Sequence, residues 1–259
     1  MNKPTYLKVV RDIAREQARV FRFGVERVRI EPIRRDVYKS HQNQSDYKIE
    51  NYFPQSRLLF LHIPKTAGSS VHTMLSTLES EQQIDSSIKF PERPSVPQHG
   101  RAWNWRLELG ESEWRRLFKF TFVRNPWDLM VSCYFWWLQK AMAFPNMLHN
   151  HLDIRAMDSF DKFIESDLGC YYLVEHAGSP ADWYASNGRD IVDFIGRFET
   201  FADDMRHVVA QVGIDPTRLQ IRHDNATKRR GYREYYSERS RALVAARFAD
   251  VIERFGYTF

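Results

Sequence analysis

Residues 58–78 read LLFLHIPKTAGSSVHTMLSTL, and the reading of this stretch decides the fold. It opens within RLLFLHI (57–63), a short and continuously apolar run of the kind that forms a strand buried on both faces. From Ser69 onward Val71, Met74, Leu75 and Leu78 recur at i, i+3, i+4 and i+7, so a helix with one apolar face follows. Between strand and helix lies IPKTAGSS. A helix start presents amide N–H groups that have no intrahelical acceptor, and the helix dipole adds partial positive charge there. Lys65 supplies a full charge, Thr66, Ser69 and Ser70 supply hydroxyl donors, and Gly68 permits close backbone approach. A phosphate or sulfate fits these donors; a tight polar turn with no ligand has the same outline. Lys65 precedes the glycine, and Ile63 stands five residues ahead of Gly68. The pattern G-x-x-x-x-G-K-[ST] is therefore absent, which disfavours an ATP-type loop.

A second unit of the same kind lies about 60 residues on, in FKFTFVRNPWDLMVSCYFWW (118–137). FKFTFVR (118–124) has strand character, Asn125 is placed to cap a helix, and Pro126 suits its first turn, so a helix over 127–143 is expected. Arg124 at the strand end and Ser132 two turns into the helix would face the C-terminal edge of the sheet, where open α/β sheets bind ligands. Arg suits bidentate recognition of phosphate and Ser adds a hydroxyl. Taken singly, the Arg reads equally as a structural ion pair and the Ser as inert.

DFIGRF (193–198) is a third strand, with Arg197 and Glu199 read as an ion pair or hydrogen bond at the sheet edge. Met205, Val208, Val209 and Val212 mark the next helix. Val244, Phe248, Val251, Ile252 and Phe255 form one helical stripe that Gly256 is placed to stop. PERPSVPQHG (91–100) is a loop. Strands alternating with helices imply an α/β fold: a P-loop-like single domain with a mainly parallel central sheet flanked by helices. That domain spans 51–259 and follows a basic N-terminal extension, 1–50.

The chain has 259 residues, 43% hydrophobic and 14% aromatic, enough for a sizeable core. Its net charge of +5 is uneven, because residues 1–40 hold 11 Lys/Arg against 5 Asp/Glu. The extension has two readings: an amphipathic helix packed on the body through Val9, Ile13, Ala14, Val20 and Phe21, or an arm that meets an anionic membrane or acidic partner. With a body that is not basic and no reader motif, nucleic acid is not expected as the ligand. YFWWLQKAMAF (134–144) is the densest apolar stretch, and Gln139 and Lys140 interrupt it well short of the roughly 18 to 20 residues of a membrane span. The N-terminus lacks a signal-peptide pattern, so a cytoplasmic protein is expected. Cys133 and Cys170 have no metal-ligand spacing and read as reduced, buried thiols in preference to a disulfide between them, and no metal is expected.

HIPKTAGSS and FKFTFVRNPWDLMVSCYF together resemble the two cofactor motifs of the sulfotransferase superfamily, most of all its carbohydrate-sulfotransferase branch and the bacterial relatives of that branch. IGRFETF (195–201) and YYSERSRALVAARFADVIERFGYTF (235–259) resemble the later segments of the family. The resemblance covers residues 57–259 and leaves 1–50 outside. It implies 3′-phosphoadenosine 5′-phosphosulfate (PAPS) as the sulfuryl donor, the desulfated nucleotide PAP as a product, and a bacterial source. By position, Lys65, Thr66, Ala67, Gly68, Ser69 and Ser70 would line the phosphosulfate, and Arg124 and Ser132 would hold the 3′-phosphate. Leu129 departs from the pattern, since relatives commonly carry Arg there; the departure bears on local ion pairing more than on the cofactor.

Sulfuryl transfer is an in-line displacement that asks the protein for positioning and cationic donors. Lys65 suits the bridging and leaving oxygens. An alcohol acceptor, implied to be a saccharide or glycolipid, also needs a base. His99 in VPQHGRAW (96–103) is the candidate, because a similar His-Gly belongs to a catalytic histidine cluster in related enzymes; here Arg101 follows instead of a second histidine. His62 reads as a packed histidine, and His72 as a lesser candidate facing the site. In RHDNATKRRGYREYY (222–236), Lys228 and Arg229 match a basic loop that closes over the nucleotide in the family, although a solvated face has the same composition. Trp103 and Trp105 are candidates to stack on sugar faces. Two other functions share these features: a kinase of P-loop fold, and a catalytically inactive sensor of PAPS or PAP.

Overall fold

The computed structural model describes residues 51–81, 96–139, 148–166, 169, 181–186, 188–221 and 229–259. The basic extension 1–50, Pro91 and Pro94, Cys170 and Lys228 lie outside them. In chain order the elements are β1 (Tyr52–Phe53), β2 (Leu58–Leu61), α1 (Gly68–Glu81), α2 (Ala102–Arg116), β3 (Phe118–Val123), α3 (Pro126–Gln139), α4 (Leu148–Ala156), α5 (Phe160–Glu165) and α6 (Ala181–Tyr184). They continue with β4 (Ala185–Ser186), β5 (Arg189–Asp190), β6 (Phe194–Arg197), α7 (Phe201–Gln211), α8 (Glu238–Arg247) and α9 (Ala249–Phe255).

Four strands form one sheet in the order β1-β2-β3-β6. Strands β2, β3 and β6 run parallel, with Leu58 beside Phe118 and Phe120 beside Phe194, and β1 pairs antiparallel with β2. This is the expected α/β architecture, a mainly parallel sheet flanked by helices. Alternation along β2 explains the layering. Leu58 and Phe60 point to one face with Val71, Met74 and Leu75 of α1 and Met205, Val208 and Val209 of α7. Leu59 and Leu61 point to the other with Trp105 and Trp114 of α2, Met130 and Trp137 of α3, and Val244 and Val251 of the last two helices. Every residue of β2 is fully buried, as a strand covered on both faces requires.

Lys119, within β3, is 7% exposed, and its ammonium meets Asp193 at 2.7 Å and the Leu117 carbonyl at 2.8 Å. A buried charge persists only when paired in this way. The Asp193 carboxylate also accepts the Lys119 backbone N–H, so one side chain sets the register of β3 against the start of β6.

Two local features depart from the sequence reading. Helix α2 follows the loop at once, with a kink at Gly110 (φ 75°); Trp103, Trp105, Leu107 and Leu109 alternate with polar residues, which hides its helical period. The C-terminal stripe is carried by two helices, not one, since Phe248 between α8 and α9 leaves helical geometry (φ −116°, ψ 24°). Its periodicity survives because Phe248 and Val251 still reach the same core. Gly256 does stop the last helix, in the left-handed conformation (φ 64°).

Candidate active site

The C-terminal ends of β2, β3 and β6 share one edge of the sheet, and the turns that leave them build the site. The first turn is held in an uncommon backbone shape. Lys65 (φ 65°) and Ala67 (φ 76°) both take positive φ without being glycine, at a cost of order 1 kcal/mol or more each. Such strain persists where surrounding bonds fix it. Thr66, fully buried, donates its hydroxyl to the Ile63 carbonyl at 2.7 Å. The Val71 N–H reaches the Ala67 carbonyl at 3.1 Å and starts the helical ladder. Left-handed residues alternating along a short turn draw successive N–H groups into one concavity, a shape suited to anions. The amides of Gly68, Ser69 and Ser70 precede the first intrahelical bond. Ser70 is buried and Ser69 half-buried.

Gly68 has a local reason to be glycine. A Cβ there would lie 1.8 Å from Nε2 and 2.1 Å from Cε1 of His62. The ring of His62 occupies the space a side chain would need, so His62 lies directly against the anion turn.

The second turn is tied to the first. Arg124 (8% exposed) donates from Nη1 to the Lys65 carbonyl at 2.9 Å, and from Nε and Nη2 to Asp128 at 2.8 and 2.6 Å. Its guanidinium lies 3.8 Å from the Phe198 ring centroid, so the turn after β6 also holds it. Burial pulls the Arg124 pKa down and Asp128 opposes that pull. Arg229 completes the group, with Nη2 at 2.5 Å from the second oxygen of Asp128. One carboxylate thus joins the two arginines named from sequence. Asp128 itself was missed, although its place four residues after Arg124 on a helix start was a readable signal.

Asn125 caps α3 through Oδ1, which accepts the Trp127 N–H at 3.1 Å. Its own N–H goes to Glu199 at 2.7 Å, and Glu199 also accepts the Tyr257 hydroxyl at 3.1 Å. Arg197 stacks over the rings of Tyr257 and Phe255, so Glu199 anchors the helix start while Arg197 packs on aromatics. Ser132 is buried on α3, two turns along from Arg124.

Lys65 reaches over α3, its ammonium 5.4 Å from the Trp136 ring centroid. Cys133 is buried beside it; burial pushes that thiol up to about 12, only partly offset by Lys65 and Arg124. It is therefore not a nucleophile.

His99 stands next to the first turn. Its Nδ1 is 3.0 Å from the His62 carbonyl, and the two rings lie 4.4 Å apart. The Trp183 indole donates to the His99 carbonyl at 3.3 Å, fixing the backbone of the loop. Trp103 and Trp105 separate: Trp103 is 40% exposed on α2, whereas Trp105 is 4% exposed in the core. The structure thus gathers Lys65, Thr66, Ala67, Gly68, Ser69, Ser70, Arg124 and Arg229 around the two turns and puts His99 beside them. Among the described residues no group of His, Cys, Asp and Glu is arranged to hold a metal, and no helix is long and apolar enough to cross a membrane.

Two strand–turn–helix units meet on one sheet edge of this α/β protein, joined by the Arg124 bond to the Lys65 carbonyl. Residues 51–258 match the family model described as "Sulfotransferase family", and the chain belongs to that family. The chain is also similar to an uncharacterized protein of Archaeoglobus fulgidus, 27% identical over 128 residues that cover 48% of this chain and 91% of that protein. No solved structure matches.

Proposed function

We propose that the protein moves a sulfuryl group from PAPS to an acceptor hydroxyl on a saccharide or glycoconjugate, with His99 as the general base. The observation that carries this reading is the 2.9 Å bond from Arg124 to the Lys65 carbonyl. It makes one seat of the turn suited to a phosphosulfate and the helix start suited to a 3′-phosphate. The residues fit a ligand with anions at two ends. The strained turn, its amides and Lys65 serve one end; Arg124, Arg229 and Ser132 serve the other, with Lys228 expected to join them. Three of the five Arg124 donors are engaged by Lys65 and Asp128, which leaves two directions for a phosphate.

PAPS supplies the sulfuryl group on a phosphate leaving group. The chain supplies the rest. Lys65 and the turn amides meet the negative charge that develops as the S–O bond to phosphate breaks. A carbonyl only accepts, so the 3.0 Å contact puts the His99 proton on Nδ1 and leaves Nε2 as the basic nitrogen. That nitrogen takes the acceptor's hydroxyl proton as its oxygen bonds to sulfur. Trp103, exposed two residues after the loop, is the aromatic placed to meet a sugar face. The reaction belongs in the cytoplasm, and the basic extension is suited to an anionic lipid surface that presents a glycolipid acceptor.

Isothermal titration with PAP and with ADP tests the nucleotide, followed by transfer from labelled PAPS to saccharide and glycolipid acceptors. PAP binding well ahead of ADP, and label on a sugar hydroxyl, are expected. Preference for ADP with Mg²⁺-dependent phosphoryl transfer overturns the proposal in favour of a kinase. Tight PAP binding with no acceptor labelled points to a sensor.

A further inference from the structure

His62 is a buried histidine whose two ring nitrogens face different partners. The Gln98 side-chain amide lies 3.1 Å from Nδ1. An amide nitrogen only donates, so Nδ1 accepts and the His62 proton sits on Nε2, the edge that faces Gly68. His99 carries the opposite tautomer, with its Nδ1–H on the His62 carbonyl. The ionisable groups facing His62 are His99 from the loop, Lys65 from the turn and His72 from α1. Its other flank stacks on Phe60, with ring centroids 5.3 Å apart.

We propose that His62 is the positioning residue of the base: its carbonyl fixes His99 in the tautomer whose Nε2 is the accepting nitrogen, and its ring, held in the other tautomer by Gln98, leaves His99 as the one member of the pair that takes a proton. Burial, then the charges of His99, Lys65 and His72, hold the His62 imidazole well below the usual histidine range. Two imidazolium rings 4.4 Å apart repel, so a proton on one opposes a proton on the other. Environments that split the behaviour of two neighbouring titratable groups assign their roles. Here the half-buried partner works and the buried one stays neutral. Because the carbonyl belongs to the residue that starts the anion turn, the base and the cradle share one piece of backbone.

This inference rests on the sulfotransferase reading only for the role of His99; the state of His62 is measurable without turnover. Long-range ¹H–¹⁵N NMR of histidine-labelled full-length protein reads both tautomers, with the His99→Ala and His62→Gln chains assigning the signals. A His99 signal with Nδ1–H that titrates is expected, together with a His62 signal with Nε2–H that does not titrate while the fold persists. His62 titrating alongside His99, or carrying its proton on Nδ1, overturns the proposal even if transfer activity is found. A second variant, Gln98→Glu, places a carboxylate on Nδ1 and favours a cationic His62. It should lower kcat about ten-fold or more and move the acid limb of the kcat profile to lower pH, with PAP affinity within about two-fold of the parent. An unchanged kcat and profile in that variant count equally against it. If no acceptor is ever sulfated, the function fails while the NMR result still decides the histidine pair.

Discussion

With its Nδ1–H engaged by the His62 carbonyl, His99 accepts a proton only at Nε2. Replacing it with alanine removes the proposed base and leaves the strained turn, Lys65 and the arginines in place. Turnover of His99→Ala should fall about 10²- to 10⁴-fold, with PAP affinity by titration nearly unchanged; retained turnover would sink the assignment. Gly68 makes a different forecast. The His62 ring is boxed in by Phe60 and His99, so it has little room to yield to a Cβ 1.8 Å away. Gly68→Ala should cost about 1–3 kcal/mol of stability. In a double-mutant cycle with His62→Ala the two losses should fall short of additivity by about 1 kcal/mol or more, read from urea midpoints. Additive losses would mean that the clash is relieved elsewhere. From sequence, Gly68 was legible as a site of close backbone approach, and the structure shows that a histidine makes one such approach. His62 was legible only as a packed residue, because no local pattern tells which ring nitrogen a distant Gln98 will meet.

At the scale of elements, the two turns are coupled through α3. Asp128 in its first turn holds Arg124 and Arg229 together, at 2.6 and 2.5 Å. Asp128→Asn removes the carboxylate and leaves two guanidinium groups side by side, one of them 8% exposed. Removing one partner of a buried ion pair costs about 3 kcal/mol or more, so Tm should drop by several degrees. Saturating PAP should raise the variant's Tm by more than the parent's, because a phosphate replaces the lost charge. An equal shift in both chains would detach Asp128 from the nucleotide seat. Strands β2, β3 and β6 were readable as short apolar runs, helices α1 and α7 from apolar residues at helical spacing, and α3 from the Asn125–Pro126 start. Helix α2 was not. Ala102, Trp105 and Trp114 are its buried residues, and between the two tryptophans Leu107 and Leu109 alternate with polar residues instead of keeping a helical period. The break at Phe248 was hidden for the opposite reason, since the stripe keeps its spacing across it.

For the whole molecule, the histidines link folding to pH. His62 is depressed chiefly by burial, and His72 in the same direction for the same reason. In the unfolded chain both return to an ordinary value of about 6.5. Below that pH the unfolded state binds more protons than the folded one, so stability falls as pH drops, and it is fully present above it. For His62 the slope is at most about 1.4 kcal/mol per pH unit. Urea midpoints should therefore decline from about pH 6.5 downward, with a shallower decline in His62→Gln; a flat profile to pH 5 would contradict a neutral His62.

The contact between His62 and Gly68 also constrains how this chain can vary. A side chain at position 68 has to displace an imidazole that packs on His99, so position 68 cannot enlarge while histidine stays at 62. In a library randomised at both sites and selected for transfer, histidine at 62 should return with glycine at 68, and any larger residue at 68 should return with a small one at 62. Ancestry at these two positions would then be inherited as a pair, with the five residues from Ile63 to Ala67 as the short bridge between them.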